Sequence, residues 1–132
     1  MTQEDKDLIL RDLCGRLSYG VKVYRKWIAP LSGSPEEGIF DFCIFDIEIL
    51  LSPYNWVSTE KGIREVREYD IKPYLFPLSS MTEEQEKEWR YTLSSDGNIT
   101  YDTVDWCNEN HLDYRGLIEK GLAIGATGLN IY

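Results

Sequence analysis

The stretch GIFDFCIFDIEILLSP, Gly38 to Pro53, is the strongest strand signal in the chain, and its apolar pattern changes phase part-way. Phe40, Phe42 and Ile44 share one parity, while Phe45, Ile47, Ile49 and Leu51 share the other. Side chains on a strand alternate between faces with period two, so a core-facing strand cannot change parity without an extra residue. The spacing predicts a β-bulge, or a break between two strands, between Ile44 and Phe45. Asp41 would then join Asp46 and Glu48 on one sheet face.

The elements around it follow from local chemistry. Thr2 with Asp5 forms a weak capping box, and Leu10, Leu13, Cys14 and Leu17 recur at helical spacing. That predicts a helix from about Gln3 to Leu17, stopped near Gly20. In VKVYRKW, Val21 and Val23 face one side and Lys22 and Tyr24 the other, which reads as a strand, with a loop over Pro30 and SGSPEEG. YNWVSTEKGIREVREYDI reads as a hairpin turning at EKG, with a helix from Ile63 to Tyr69, using Val66, as the alternative. KPYLFPLSS, with Pro73 and Pro77, reads as an extended connector. Ser80 with Glu83 and Thr82 with Gln85 are overlapping capping boxes that start a helix burying Met81, Trp89 and Leu93. A short helix after Asp102 or Thr103 presents Val104, Cys107 and His111 on one face. In HLDYRGLIEKGLA, Asp113 is an N-cap, Tyr114 to Lys120 two turns, and Gly121 a left-handed terminator that lets Leu122 pack back on Leu117. The sum is one α+β domain over 1–132: an N-terminal helix, a small antiparallel sheet over about 21–72 that can curl toward a barrel, and three C-terminal helices within about 80–123.

Composition narrows the partners. With 132 residues, 42% of them hydrophobic and 28% charged, the chain has the makings of one ordinary core. A net charge of −9 repels phosphate backbones and anionic headgroups, so neither nucleic acid nor membrane is an expected partner. No apolar run reaches the roughly 20 residues that span a bilayer. The start MTQEDKD lacks the basic and apolar regions of a signal peptide, so a cytoplasmic location is expected. Cys14, Cys43 and Cys107 are widely spaced and read as buried free thiols in a reducing compartment.

Several residue sets carry possible chemistry. Cys107 and His111, four apart on a helix, suit two ligands of a zinc ion or a thiolate with its base, but no CxxC knuckle accompanies them, and core packing is the plainer reading. Asp41, Asp46 and Glu48 suit a divalent cation or an acid and base for hydrolysis, against a solvated sheet face. Arg64, Arg67 and Lys72 suit an anionic ligand such as a nucleotide signal. Tyr54, Trp56, Tyr69 and Tyr74 cluster around the hairpin and connector and suit a partner surface. No glycine-rich phosphate loop is present, since GLAIGATG follows a helix instead of opening one, and the sequence calls for no cofactor and no bound metal.

Three blocks, DLCGRLSYGVKV, IKPYLFPLSSMTEEQ and VDWCNENHLDYRGLIEKGLA, together resemble a family of short proteins from Bacteroides and their phages. The resemblance covers the start and the second half of the chain and implies no activity. The chain departs from the pattern with Phe76 in place of arginine, Cys107 in place of leucine and Asn110 in place of histidine. The expectation is a non-enzymatic phage or prophage accessory protein that binds a host protein through Tyr54, Trp56, Asp46 and Glu48. A small metal-dependent hydrolase using Asp41, Asp46 and Glu48, and a nucleotide-signal binder, are the alternatives.

Overall fold

The chain folds as two compact units, Met1–Pro73 and Tyr74–Tyr132, and the computed structural model describes residues 2–29, 32–52, 56–65 and 69–132. The class is α+β, with an N-terminal helix, an open mixed sheet and further helices.

In the first unit, helix α1 (Gln3–Arg16) starts at the expected box: Thr2 Oγ1 accepts the Asp5 N–H at 3.1 Å, and the Asp5 carboxylate accepts the Thr2 N–H at 3.3 Å. Its inner face is not the expected one. Ile9, Asp12, Leu13 and Arg16 are buried, whereas Cys14 and Leu17 are exposed and Leu10 is half-buried. Asp12 and Arg16, four apart, form a two-point ion pair at 2.8 and 3.1 Å, which lets both charges enter the interior on a face that a hydropathy pattern assigns to solvent. A short 3-10 turn, Leu17–Tyr19, ends at Gly20 with φ 70°.

Strand β1 (Lys22–Ile28) turns Val23, Arg25 and Trp27 inward. It pairs along its whole length, antiparallel, with β2 (Pro35–Asp41), and through Val23↔Pro73 to Lys26↔Asp70 with β5 (Asp70–Leu75). β2 begins at Pro35, within the expected loop, because a proline at the first residue of an edge strand withholds no ladder bond. The segment expected as a bulged strand is a strand followed by a helix. β2 stops at Asp41 and α2 (Ile44–Leu51) begins after the two intervening residues Phe42 and Cys43, so the phase change marks a switch from period two to period 3.6. The N–H of Cys43 donates to the Asp46 carboxylate at 3.0 Å, an acid returning to its own helix start. The hairpin is as read: β3 (Trp56–Thr59) and β4 (Gly62–Glu65) pair antiparallel around Glu60 and Lys61. Ile63 to Glu65 are therefore strand, while Val66 and Arg67 lie outside the described residues.

KPYLFPLSS is extended at its start as expected, but Lys72 to Leu75 belong to strand β5 and Leu78 to Ser80 form a 3-10 turn. Pro73, which has no N–H, sits where the ladder to β1 ends. In the second unit, Tyr74 and Leu75 pair in parallel with β6 (Ile124–Gly125). Helix α3 (Glu83–Thr92) starts at the Thr82–Gln85 box, with Met81, Trp89 and Leu93 half-buried beneath it. Helix α4 (Tyr101–Glu109) is capped by Thr100, slightly before the expected start.

α4 ends in a Schellman motif whose left-handed residue is His111, at φ 57°. The N–H of Leu112 reaches the Cys107 carbonyl at 2.9 Å and that of His111 the Asn108 carbonyl at 3.2 Å. The expected two-turn helix at Tyr114–Lys120 is not formed, because Gly116 at φ 72° interrupts it. Asp113 instead reaches across that turn and accepts the N–H groups of Leu117 at 2.8 Å and Ile118 at 2.9 Å. The end does form as read, with Leu122 N–H to the Leu117 carbonyl at 2.9 Å around Gly121 at φ 74°. None of the described helices is long and apolar enough to cross a membrane.

Asp113→Ala therefore loses two charge-assisted bonds at a buried carboxylate and should cost about 2–4 kcal/mol, more than a single cap. Gly121→Val should cost about 1–2 kcal/mol, because a β-branched residue resists positive φ. Urea unfolding of both variants checks this, and midpoints equal to the parent's would refute the assignment of either residue.

Candidate functional site

Arg25 lies on the inner face of β1, where alternation places apolar side chains, and it is buried. Its guanidinium sits 4.6 Å from the ring centre of Trp27 and 4.3 Å from that of Phe40. One nitrogen, Nη1, donates to both carboxylate oxygens of Asp46 at 3.0 and 3.1 Å. Asp46 is fully buried and also accepts from the Cys43 N–H at 3.0 Å and the Tyr69 hydroxyl at 3.2 Å. The Cys43 thiol lies 3.3 Å from the same carboxylate and 3.6 Å from Nη1.

The electrostatics are those of a closed ion pair. Burial alone disfavours the charge on Arg25, yet the Asp46 carboxylate outweighs it and holds the guanidinium above its ordinary pKa. Burial, and then the negative charge of Asp46, raise the Tyr69 phenol well above its ordinary range. With its oxygens taken by Arg25, Cys43 and Tyr69, Asp46 is not a steering charge on a binding rim. It holds α2 to the sheet.

The three carboxylates expected on one sheet face do not share one. Asp41 ends β2, exposed and ion-paired with Lys22; Asp46 is buried in α2; Glu48 is half-buried two residues further along that helix. Among the described residues no group of three or more His, Cys, Asp or Glu side chains gathers where a metal ion could be held. Cys107 and His111 do not share a helix face either, because α4 ends at Glu109 and His111 is left-handed. Its ring stacks on Tyr132 at 3.7 Å, and the Tyr132 hydroxyl donates to the Tyr74 carbonyl at 2.7 Å. Of the three cysteines expected to be buried, only Cys107 is; Cys43 is half-buried and Cys14 exposed. Of the cationic set, Arg64 is exposed on β4, Lys72 is half-buried on β5, and Arg67 lies outside the described residues. A cleft of about 460 Å³ in the second unit is lined by neither Arg64 nor Lys72 and sets Arg115 among Asp113 and Glu119.

The chain matches no family model, no curated protein and no solved structure.

Of the aromatic set, Tyr74 is buried, Tyr69 half-buried, and Tyr54 outside the described residues. Trp56 is 48% exposed, and it does not stand alone. Ile44 and Leu51, two helical turns apart on α2, are each 66% exposed, and Ile63 on β4 is 61% exposed. α2 and β3 pack beside one another. Trp56 pairs with Glu65 and Ser58 with Ile63, so Trp56 and Ile63 lie on one face of the hairpin. Sequence reasoning missed Ile44 and Leu51 because a strand reading buries them.

Removing the carboxylate of Asp46 strands Arg25 in the interior, so Asp46→Ala should cost about 3–5 kcal/mol, whereas Arg25→Met with Asp46→Leu should unfold closer to the parent. Tyr69 supplies a pH signature. Its folded-state pKa lies above the unfolded value near 10, so its contribution is complete below that pH and is lost as pH rises beyond it. Tyr69→Phe should cost about 1 kcal/mol at neutral pH and flatten the loss of stability above roughly pH 10. Denaturant midpoints that fall in parallel for parent and variant across that range would count against it.

Proposed function

We propose that the chain is a non-enzymatic binding protein whose partner is another protein, held by the exposed apolar side chains of α2 and the β3–β4 hairpin. The observation that carries this is the exposure of Ile44, Leu51, Trp56 and Ile63 on three neighbouring elements, α2 packing beside β3 and β3 pairing with β4. Large apolar side chains left to water on neighbouring elements suit an interaction surface, and a tryptophan is among the side chains most able to anchor one. The net charge of −9 favours a partner with a basic rim, which speeds encounter without adding much to the lifetime of the complex. The resemblance to Bacteroides phage proteins supports an accessory role in which the partner belongs to the host. Among the residues expected at the interface, exposed Trp56 and half-buried Glu48 remain part of this proposal, whereas Asp46 lies in the interior.

The test is capture from a host-cell lysate on immobilised protein, identification of what is held, and kinetics with that protein made separately. Trp56→Ala should raise the dissociation rate at least about tenfold, or ~1.4 kcal/mol, whereas Glu48→Lys should mainly slow association. A captured protein that binds parent and Trp56→Ala alike would remove this surface from consideration. Capture of nothing, with micromolar magnesium or manganese binding that needs Asp41, would favour the hydrolase instead.

A further inference from the structure

The β3–β4 hairpin carries a second surface besides its apolar face. It closes through the two residues Glu60 and Lys61, which makes Thr59↔Gly62 the hydrogen-bonded pair next to the turn. Pairs alternate along an antiparallel ladder, so Val57↔Arg64 is the next bonded pair, while Ser58↔Ile63 and Trp56↔Glu65 are unbonded ones. The peptide groups of Ile63 therefore point away from β3. Among the described residues β4 has no other strand beside it, and the Ile63 carbonyl has only a 3.5 Å contact from the neighbouring Arg64 guanidinium. All four residues of β4 are exposed. An outward edge of this kind is a template for another strand.

The side chains along the edge say which strand fits. Glu60, Lys61, Arg64 and Glu65 balance in charge, in a chain whose net charge is −9. A strand that meets its own copy about a two-fold axis has few registers available. Outward peptide groups must meet outward peptide groups, so the axis passes through a residue and not between two, and axes through Ile63 or Arg64 are those that overlap three of the four β4 residues. An axis through Arg64 sets the two Arg64 side chains against each other and Ile63 against Glu65. An axis through Ile63 sets Ile63 against Ile63 and, on both sides of it, Glu65 against Lys61, the turn residue that leads into β4. Only the second puts like with like where both are apolar and opposite with opposite where both are charged.

We propose that β4 of one copy pairs antiparallel with β4 of a second copy in the register that sets Ile63 opposite Ile63 and Glu65 opposite Lys61. The two hairpins become one four-stranded sheet. Both Trp56 and Ile63 faces then lie on the same side of it, so the edge is used by the dimer and the face stays open.

Sedimentation equilibrium of the full chain, over a micromolar to sub-millimolar range, tests this with a charge-exchange set. Lys61→Glu sets two glutamates against two, and Glu65→Lys two lysines against two, so each variant alone should dimerise at least about tenfold more weakly than the parent. The two variants mixed should form a heterodimer tighter than either alone, and the double variant should recover parental affinity. Ile63→Pro removes an N–H that only the second copy uses, and should abolish the dimer with the circular dichroism unchanged. A parent that is monomeric throughout, a dimer indifferent to single reversals, or a mixture with no recovery overturns the proposal. A monomeric parent that still loses its captured partner on Trp56→Ala would overturn only the dimer and leave the proposed function standing.

Discussion

Asp46 and Arg25 decide how the first unit is built. A carboxylate with no exposure must have each oxygen occupied, because an unpaired charge in the interior costs several kcal/mol. The partners come from three places: Arg25 from the middle of β1, Cys43 from the start of α2, and Tyr69 from just before β5. Each fixes a different freedom. The Cys43 N–H holds the first turn of α2, Arg25 sets that helix against one position of the sheet, and Tyr69 ties in the return of the chain while its ring packs against Trp27 at 6.1 Å. A methyl-for-methyl apolar contact in the same place would allow the helix to slide, whereas a carboxylate with three directional partners does not.

What the sequence showed and hid divides along physical lines. Thr2, Thr82, Gly20 and Gly121 act through hydrogen bonds within a few residues of themselves, and their roles could be read from local spacing alone. Features that depend on burial or on distant partners were not legible. Asp12 and Arg16, though only four apart, look like solvent-facing charges because spacing does not say that their face of the helix is buried, and Arg25 looks misplaced on its strand until Asp46 arrives 21 residues later. α2 was hidden for a double reason. Its residues IFDIEILL favour strands by propensity, and its N-cap is a cysteine, outside the usual capping set, so only the parity change in the apolar pattern betrayed it. His111 was hidden likewise, since a left-handed terminator is sought among glycines and asparagines.

The candidate site was legible to about the same depth. Trp56 was readable because a two-residue turn and alternating strands place it on a hairpin whatever the rest of the chain does. Asp46 was singled out for its charge and given the opposite role, since sequence says that an acid is present and not whether a cation buried on another strand will claim it. Ile44 and Leu51 were given to the core by the same strand reading that hid α2.

That last inversion bears on function. α2 turns an aspartate inward and an isoleucine and a leucine outward, on a helix of eight residues. For stability alone the arrangement is unfavourable twice over: the interior carries the desolvation of an ion pair, and water carries apolar area worth roughly 25 cal/mol per Å² once covered. Exchanging the two kinds of side chain would give an ordinary amphipathic helix with an apolar inner face and a charged outer one. The ion pair supplies a reason for the inward half, because it fixes the helix in one position. Nothing within the described residues of the chain gives the outward half a reason. In the binding role proposed above, a helix held rigidly would have its exposed apolar side chains ordered before a partner arrives, so that little ordering entropy would be lost on association. The buried charge and the exposed hydrocarbon are therefore two sides of one arrangement, in which the interior holds still what the surface offers.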